Sequence, residues 1–185
     1  MNKLIVSNLI TLDGFLSGPN GELDWFCADE EFLAYARQLC QSIGAILFGR
    51  RTYEMMAAYW PREEPLKNDP IVAERMNNLP KVVVSTTLSH PGWHNARLIR
   101  DRVAENVLEL KASAGADVAI FGSGQLVSSL LPHGLIDELR LFVHPVILGR
   151  GRPEFSLLTG RIDLNLVHTR PFRSGIILLT YQPRH

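Results

Sequence analysis

The sequence predicts an α/β fold: a mostly parallel sheet with an antiparallel C-terminal edge and helices on both faces. Three observations carry this. Short apolar, β-branched runs alternate with segments of helical periodicity along most of the chain. The C-terminal part is instead rich in strand patterns. Three of the buried-strand runs lead straight into small polar residues or a helix start, as strands do at the carboxyl edge of an open α/β sheet.

Each element follows from its residues. Lys3–Ile10 (KLIVSNLI) reads as the first strand. Thr11–Asp24, with Gly14, Gly18, Pro19 and Gly21, reads as a loop. Asp29–Gln41 places Phe32, Ala36, Leu39 and Cys40 at helical spacing, with acids in the first turn where the helix dipole favours them. Ala45–Phe48 is too short for a helix and predicts a buried strand, and Arg50–Tyr59 a helix stopped before Pro61. Pro61–Pro80 holds four prolines and many charges and predicts a loop with a short helix near Ile71–Asn77. Lys81–Ser85 and Arg97–Ile99 read as strands, Asp101–Ala112 as a helix, and Asp117–Phe121 as a strand entering Gly122-Ser123-Gly124. Gln125–Leu131 is the next helix, ended by Pro132. Asp137–Leu148 predicts a long strand with Pro145 at an edge or bulge. Ile162–Arg170 and Gly175–Tyr181 predict an antiparallel hairpin.

The 185 residues suit one domain with a sizeable core. Hydrophobic residues make up 46% and charged residues 21%, the balance of an ordinary globule. Lys plus Arg and Asp plus Glu both total 19, so the basic excess that non-specific nucleic-acid binding needs is missing. No apolar run is long enough for a membrane helix, and the N-terminus lacks a signal-peptide pattern. Cys27 and Cys40 form no metal or redox motif and are expected to pack as small apolar residues in a reducing cytoplasm.

Three strand exits gather polar and basic groups: Gly49-Arg50-Arg51-Thr52, Ser85-Thr86-Thr87, and Gly122-Ser123-Gly124-Gln125-Leu126. A helix N-terminus offers free N–H groups and a positive dipole end to phosphate. Arginine adds a planar fork of donors, and the hydroxyls of Thr52, Ser85, Thr86 and Ser123 add more. A tight turn, a solvated helix start and a polar loop are the ordinary readings of each piece; together on one edge they suit a dinucleotide. Val127 stands where G-x-G-x-x-G would need its third glycine, and neither a P-loop nor a G-x-S-x-G elbow occurs. His90 and His94 are separated by Pro91-Gly92, which breaks the helix that a metal pair would need. No metal site is expected.

Taken together, these residues resemble the dihydrofolate reductase-like family, and within it the branch of the reductase domain of the riboflavin-biosynthesis deaminase/reductase and its small stand-alone relatives. The likeness runs from Leu12-Asp13-Gly14-Phe15-Leu16 through Leu47–Glu54 and Lys81–Ser85. It is strongest at Phe121–Gly124 and Gly134–Leu139, and it ends in Pro145–Gly151 with Phe155 beyond. The resemblance implies a single domain over 1–185, a central sheet of about eight strands, an NADPH site and a homodimer. Gly49, Arg50, Arg51 and Thr52 would meet the cofactor's phosphates, and Ser85, Thr86 and Thr87 its 2′-phosphate and adenosine. Gly122, Ser123, Gly124, Gln125 and Leu126 would cradle the pyrophosphate. Asp13 and its loop would border the nicotinamide. Asp13 is the candidate catalytic residue; the proton donor is left open, with a water near Asp13 as the candidate. Asp13, Trp25 and Arg150 are the candidate substrate contacts, Arg152 being a further basic group on the same loop. True dihydrofolate reductases place a carboxylate on the first helix; here its inner-looking positions are Phe32, Ala36 and Cys40, which disfavours folate. No zinc deaminase signature is present. The expected function is an NADPH-dependent reductase of a small pterin- or pyrimidine-like heterocycle, or of a carbonyl or imine compound. A non-catalytic, nucleotide-binding dimeric scaffold of the same fold is the alternative. If Gly124 is bare for a ligand, Gly124→Ala should leave the free protein firm and abolish NADPH stabilisation.

Overall fold

The computed structural model describes residues 1–184. Ten strands and six α-helices follow one another as β1 (Leu4–Thr11), β2 (Phe15–Ser17), α1 (Glu30–Ser42), β3 (Ile43–Gly49), α2 (Arg50–Tyr59), α3 (Glu63–Asn68), α4 (Pro70–Asn78), β4 (Lys81–Val84), β5 (Ala96–Ile99), α5 (Val103–Ser113), β6 (Asp117–Phe121), α6 (Gly124–Leu130), β7 (Glu138–His144), β8 (Arg152–Pro153), β9 (Leu164–Pro171) and β10 (Ile177–Pro183). Eight of the strands form one sheet in the order β5-β4-β3-β6-β1-β7-β10-β9. From β5 to β7 every pairing is parallel, whereas β10 runs antiparallel to both β7 and β9.

Burial explains the strand sequences. β1 lies between β6 and β7 and is covered on both faces, so it reads as a nearly unbroken apolar run rather than an alternation. On one face Leu4, Val6, Leu47, Val118 and Ile120 pack against Val107 and Leu110 of α5 and Leu126, Val127 and Leu130 of α6. On the other, Ile46, Phe48, Val83 and Ala119 meet Leu39 of α1, Tyr53 of α2, and Val72 and Met76 of α4. Each such side chain contributes about 1.5–3 kcal/mol on full burial. A smaller cluster (Phe32, Phe142, Phe172, Ile176, Leu178) fixes α1 to the antiparallel edge. Asp29 is the N-cap of α1, its Oδ1 accepting the Phe32 N–H at 2.7 Å.

The structure corrects several boundaries. β7 stops at His144 instead of Leu148, because Pro145 brings no N–H to continue the ladder. The Pro61–Pro80 stretch holds α3 as well as α4; Asp69 caps α4 by accepting the Val72 N–H, and Pro70 occupies its first position, where proline is tolerated. The Gly-rich loop contains β2, which pairs antiparallel with β8 in a small second sheet. Cys40 is buried as expected, with burial pushing its thiol up to about 11, but Cys27 is exposed.

Candidate active site

Parallel strands exit on one edge, so the ends of β4, β3, β6, β1 and β7 line up there in that order. The chain winds outward through β3, β4 and β5, then returns to place β6 between β3 and β1, and β7 on β1's far side. Open α/β sheets bind ligands at such a reversal.

The three predicted edges are brought together and bonded to one another. The Gly49 N–H, at the cap of α2, donates to Ser123 Oγ at 2.9 Å, and that hydroxyl donates to Thr52 Oγ1 at 2.9 Å. The β3 exit is therefore fastened to the β6 exit. Arg50 Nη1 donates to Thr87 Oγ1 at 2.6 Å while its Nε pairs with Glu54 at 3.0 Å, joining the β3 exit to the β4 exit. Ser85 Oγ accepts the N–H groups of Thr87 and Leu88, which fixes the turn after β4. Arg100, which sequence reasoning passed over, donates to the carbonyls of Thr86, Leu88 and Ser89 and holds that loop from β5. Arg51 is exposed. The first turn of α2 carries two arginines and no acid, the reverse of what the helix dipole favours without an anion beside it.

Gly122 has φ +63 and Ser123 φ +64, so the turn after β6 uses the left-handed region at two successive residues. For Ser123 this conformation is uncommon, and its two side-chain bonds hold it there. The bareness of Gly122 and Gly124 has a packing cause. A Cβ on Gly122 would lie 3.0 Å from Thr52, and one on Gly124 would lie 2.6 Å from the Glu154 carbonyl oxygen and 2.9 Å from Leu16 Cδ1. The expectation that Gly124→Ala spares the fold is thereby corrected.

Asp13 is committed to structure. Its Oδ1 accepts from Thr11 Oγ1 at 2.6 Å and the Leu148 N–H at 3.2 Å, and its Oδ2 from the Gly149 N–H at 2.7 Å. The Thr11 hydroxyl, with these N–H groups, holds the Asp13 carboxyl below its ordinary range. An ionised carboxylate tying two loops together is a poor proton donor. Arg150 and Arg152 are exposed on the segment that Asp13 anchors; Arg152 lies in β8 beside Gly21, and its charge reaches Glu22.

Trp25 stands edge-on to His144 with ring centroids 5.0 Å apart. His144 closes β7 beside Thr11 of β1 and is fully buried. Its Nδ1 lies 3.1 Å from the Phe142 carbonyl, which places the proton on that nitrogen. Burial pushes its pKa down, so the ring is neutral and Nε2 is an acceptor. Neither His144 Nε2 nor Trp25 Nε1–H has a hydrogen-bond partner among the described residues. Nothing local in the sequence distinguishes His144; only the topology puts it at the same edge as Asp13.

Asn8 and Glu154 form a second buried pair that sequence reasoning missed. Asn8 Nδ2 donates to both carboxyl oxygens of Glu154 at 2.7 and 2.8 Å, and its Oδ1 accepts the Gly122 N–H at 2.7 Å. Burial pushes the Glu154 carboxyl up to about 7. No group of three or more His, Cys, Asp or Glu residues placed to hold a metal ion occurs among the described residues.

A family model described as the RibD C-terminal domain matches residues 2–178. The chain belongs to the RibD C-terminal domain family. Within reach of this family lies the uncharacterized protein YyaP of Bacillus subtilis, 35% identical over 179 residues that cover 97% of this chain and 94% of YyaP. Among solved structures, the Thermotoga maritima diaminohydroxyphosphoribosylaminopyrimidine deaminase/5-amino-6-(5-phosphoribosylamino)uracil reductase superposes with a TM-score of 0.71 at 18% identity. The match covers 99% of this chain and 57% of that one. Dihydrofolate reductase from Enterococcus faecalis, complexed with NADP(H) and RAB-propyl, superposes with a TM-score of 0.68 at 17% identity, over 99% and 97% of the two chains. The RibD C-terminal domain of this chain thus shares the dihydrofolate reductase-like fold, with its mostly parallel sheet and antiparallel C-terminal strands.

Proposed function

We propose that this chain is an NADPH-dependent reductase that passes hydride to a small planar heterocycle, or to a carbonyl or imine compound. The observation that carries the reading is the bonded edge of Gly49, Thr52 and Ser123, with Arg50 linked to Thr87. Those bonds use side chains and the Gly49 N–H. The first-turn N–H groups of α2, at Arg50, Arg51 and Thr52, have no intrahelical acceptors and suit phosphate oxygens. Arg50 and Arg51 supply the charge that a dinucleotide's phosphates balance, with Ser85, Thr86 and Thr87 beside the 2′-phosphate. The turn from Gly122 through Ser123 to Gln125 lies beside the pyrophosphate in this reading, while Gly124 and the buried Leu126 shape it from behind. A reduced nicotinamide bound there supplies the hydride.

At the substrate end, Trp25 packs edge-on against the buried His144, and its ring is the candidate substrate contact there. Asp13 holds the neighbouring loops in place, and Arg150 and Arg152 flank the entrance as candidate anion contacts. A second copy of the chain pairs along β9, whose edge is open and whose middle, with Leu166 56% and Val167 52% exposed, is uncovered on both faces. Equilibrium sedimentation of wild type against a Val167→Lys variant tests that pairing.

The cofactor test is a fluorescence titration with NADPH and NADH at low and high salt. NADPH is expected to bind at least tenfold tighter, since charge-assisted bonds to its extra phosphate contribute about 1.5–3 kcal/mol each. The gap should narrow with salt and in Arg51→Ala. Equal affinities at low salt overturn the cofactor choice. NADPH consumption across pterins, pyrimidines and dicarbonyls then separates a reductase from a binding scaffold.

A further inference from the structure

Two carboxyl-bearing side chains are buried among the described residues, and they are treated very differently. Glu138 (5% exposed) is answered by Arg140 Nε at 2.6 Å and Lys3 Nζ at 3.1 Å. Glu154 (1% exposed) has no ion pair among the described residues, and a single amide, that of Asn8, meets both of its oxygens. A buried carboxylate answered only by a neutral amide is costly.

The surroundings of Glu154 are short of charge on every side. From β1 comes Asn8; from α6 come Gly124 and Ser128, whose hydroxyl lies 3.5 Å from the Glu154 carbonyl; and the Gly14 carbonyl accepts the Glu154 N–H at 3.1 Å. α6 (GQLVSSL) and β2 (FLS) hold no ionisable residue. On the adjoining loops, Asp13 is engaged with Thr11, Leu148 and Gly149, and Arg150 and Arg152 are exposed. The pairing of Asn8 with Leu141 places Leu139 and Leu141 of β7 on the Asn8 side of the sheet. Glu138, Arg140 and His144 therefore project from the opposite face.

The Asn8 amide has one orientation open to it. Its Oδ1 accepts the Gly122 N–H, and reversing the amide would set NH₂ against N–H there and carbonyl oxygen against carboxylate at Glu154. Gly122 opens the left-handed turn that leads into Ser123, and Ser123 in turn bonds Gly49 and Thr52. A line of hydrogen bonds thus runs from the Glu154 carboxyl through Asn8 to the turn at which the three strand exits are fastened.

We propose that Glu154 is a positioning residue for the Gly122–Ser123 turn, and that a phosphate-bearing dinucleotide settling on this turn drives proton uptake at Glu154. The inference rests on the dinucleotide reading given above. An ionised Glu154 places negative charge one amide away from the turn, in a dry setting where charges act strongly on one another. An arriving anion therefore favours the protonated carboxyl, which keeps its bond to Asn8 by accepting through the carbonyl oxygen. The carboxyl's raised pKa, near 7, puts this exchange within the neutral range. Linkage makes the effect reciprocal: a proton on Glu154 strengthens dinucleotide binding by the factor with which the dinucleotide strengthens proton binding.

The test is calorimetric titration of NADPH into the protein at pH 7.5 in two buffers of different ionisation enthalpy, with affinities measured from pH 6 to 8. Wild type is expected to take up a substantial fraction of a proton per NADPH and to lose about tenfold in affinity across that range. The cofactor's 2′-phosphate itself titrates near pH 6, by analogy with other phosphomonoesters, so the uptake assigned to Glu154 is the difference between wild type and Glu154→Gln. The variant should show less uptake and a flatter pH profile. Uptake and slope unchanged in a variant that binds NADPH overturn the assignment to Glu154 and leave the cofactor reading standing. A folded wild type that does not bind NADPH overturns both. Should Glu154→Gln fail to fold, infrared difference spectroscopy on wild type decides: the protonated-carboxyl band grows on adding NADPH, or the proposal fails.

Discussion

Gly124→Ala puts the packing account of the β6 turn to a quantitative test. The new Cβ would stand 2.6 Å from the Glu154 carbonyl oxygen, and Leu16 Cδ1 is 2.9 Å away on another side. Leu16 can swing aside; the Glu154 carbonyl is backbone, held by the Glu154 N–H bond to Gly14 and approached by Ser128 Oγ. Relief needs a backbone shift of roughly 0.6 Å, and overpacking of this kind costs about 1–3 kcal/mol. Alanine's helix preference returns up to ~1 kcal/mol, less at the first position of a helix. The net loss is about 1–2 kcal/mol, or roughly 2–8 °C in melting temperature for a chain of this size. The assay is thermal unfolding without ligand, beside Gly160→Ala, where a Cβ would meet nothing within 4 Å. The control should melt with wild type. A Gly124→Ala protein that melts at or above the wild-type temperature would refute the packing account and restore a ligand as the reason for this glycine.

Other outcomes follow from buried groups. Lys81 is enclosed, its Nζ donating to the carbonyls of Asn77, Leu79 and His94 and lying 4.4 Å from the Trp93 ring centroid. Lys81→Met leaves those carbonyls short of a donor and should lower stability by about 1–3 kcal/mol in urea melts. Burial pushes the Lys81 pKa down to about 8 from 10.5. The folded state then binds fewer protons than the unfolded state between those values, so wild type should gain on Lys81→Met as pH rises from 8 to 10.5. Glu154 behaves oppositely: with its pKa raised from 4.5 to about 7, the folded state holds the extra proton, and stability should fall as pH rises through that window. The loss is at most about 3 kcal/mol and should be missing from Glu154→Gln in melts at pH 5 and pH 8. Tyr53→Phe removes the hydroxyl that accepts the buried backbone N–H of Trp93 at 2.9 Å, and a loss of about 1–3 kcal/mol is expected by the same melts.

The elements that the sequence made legible are those with a local signature. β1, β3, β4 and β6 are compact apolar runs, and α1 announces itself through Asp29 and the spacing of Phe32, Leu39 and Cys40. The C-terminal hairpin was visible in its strand patterns. β2 and β8 were not, because each is two or three residues long and exists only through pairing with the other. α3 was hidden by Pro65, which reads as a breaker yet sits in that helix's first turn. The site divides in the same way. Gly49–Thr52, Ser85–Thr87 and Gly122–Leu126 were marked by composition and by resemblance to a known family. Asn8, His144 and Glu154 were not, since their roles depend on contacts with residues far away in the chain, and no short pattern encodes those. Asp13 was noticed for its place after a strand, but whether its carboxylate is free or bonded is decided by the Leu148–Gly149 backbone.

The position of β1 bears on how the chain reaches its fold. It is synthesised long before either of its neighbours: Leu4 faces Val118 of β6, and Ile5 faces Glu138 of β7. At about 5–20 residues per second, this apolar strand waits many seconds for partners. In the interval β3, β4 and β5 can pair among themselves, since they follow one another closely, but the strand that belongs at the centre of the sheet stays without its ladder. Closing so long a loop is an entropic barrier met before its contacts give any return, which makes folding slow for a protein of this size. The same arrangement makes the unfinished chain vulnerable. Any fragment ending before β6 exposes LIVSNLIT as an unpaired, mostly apolar strand, and such a segment associates with other copies.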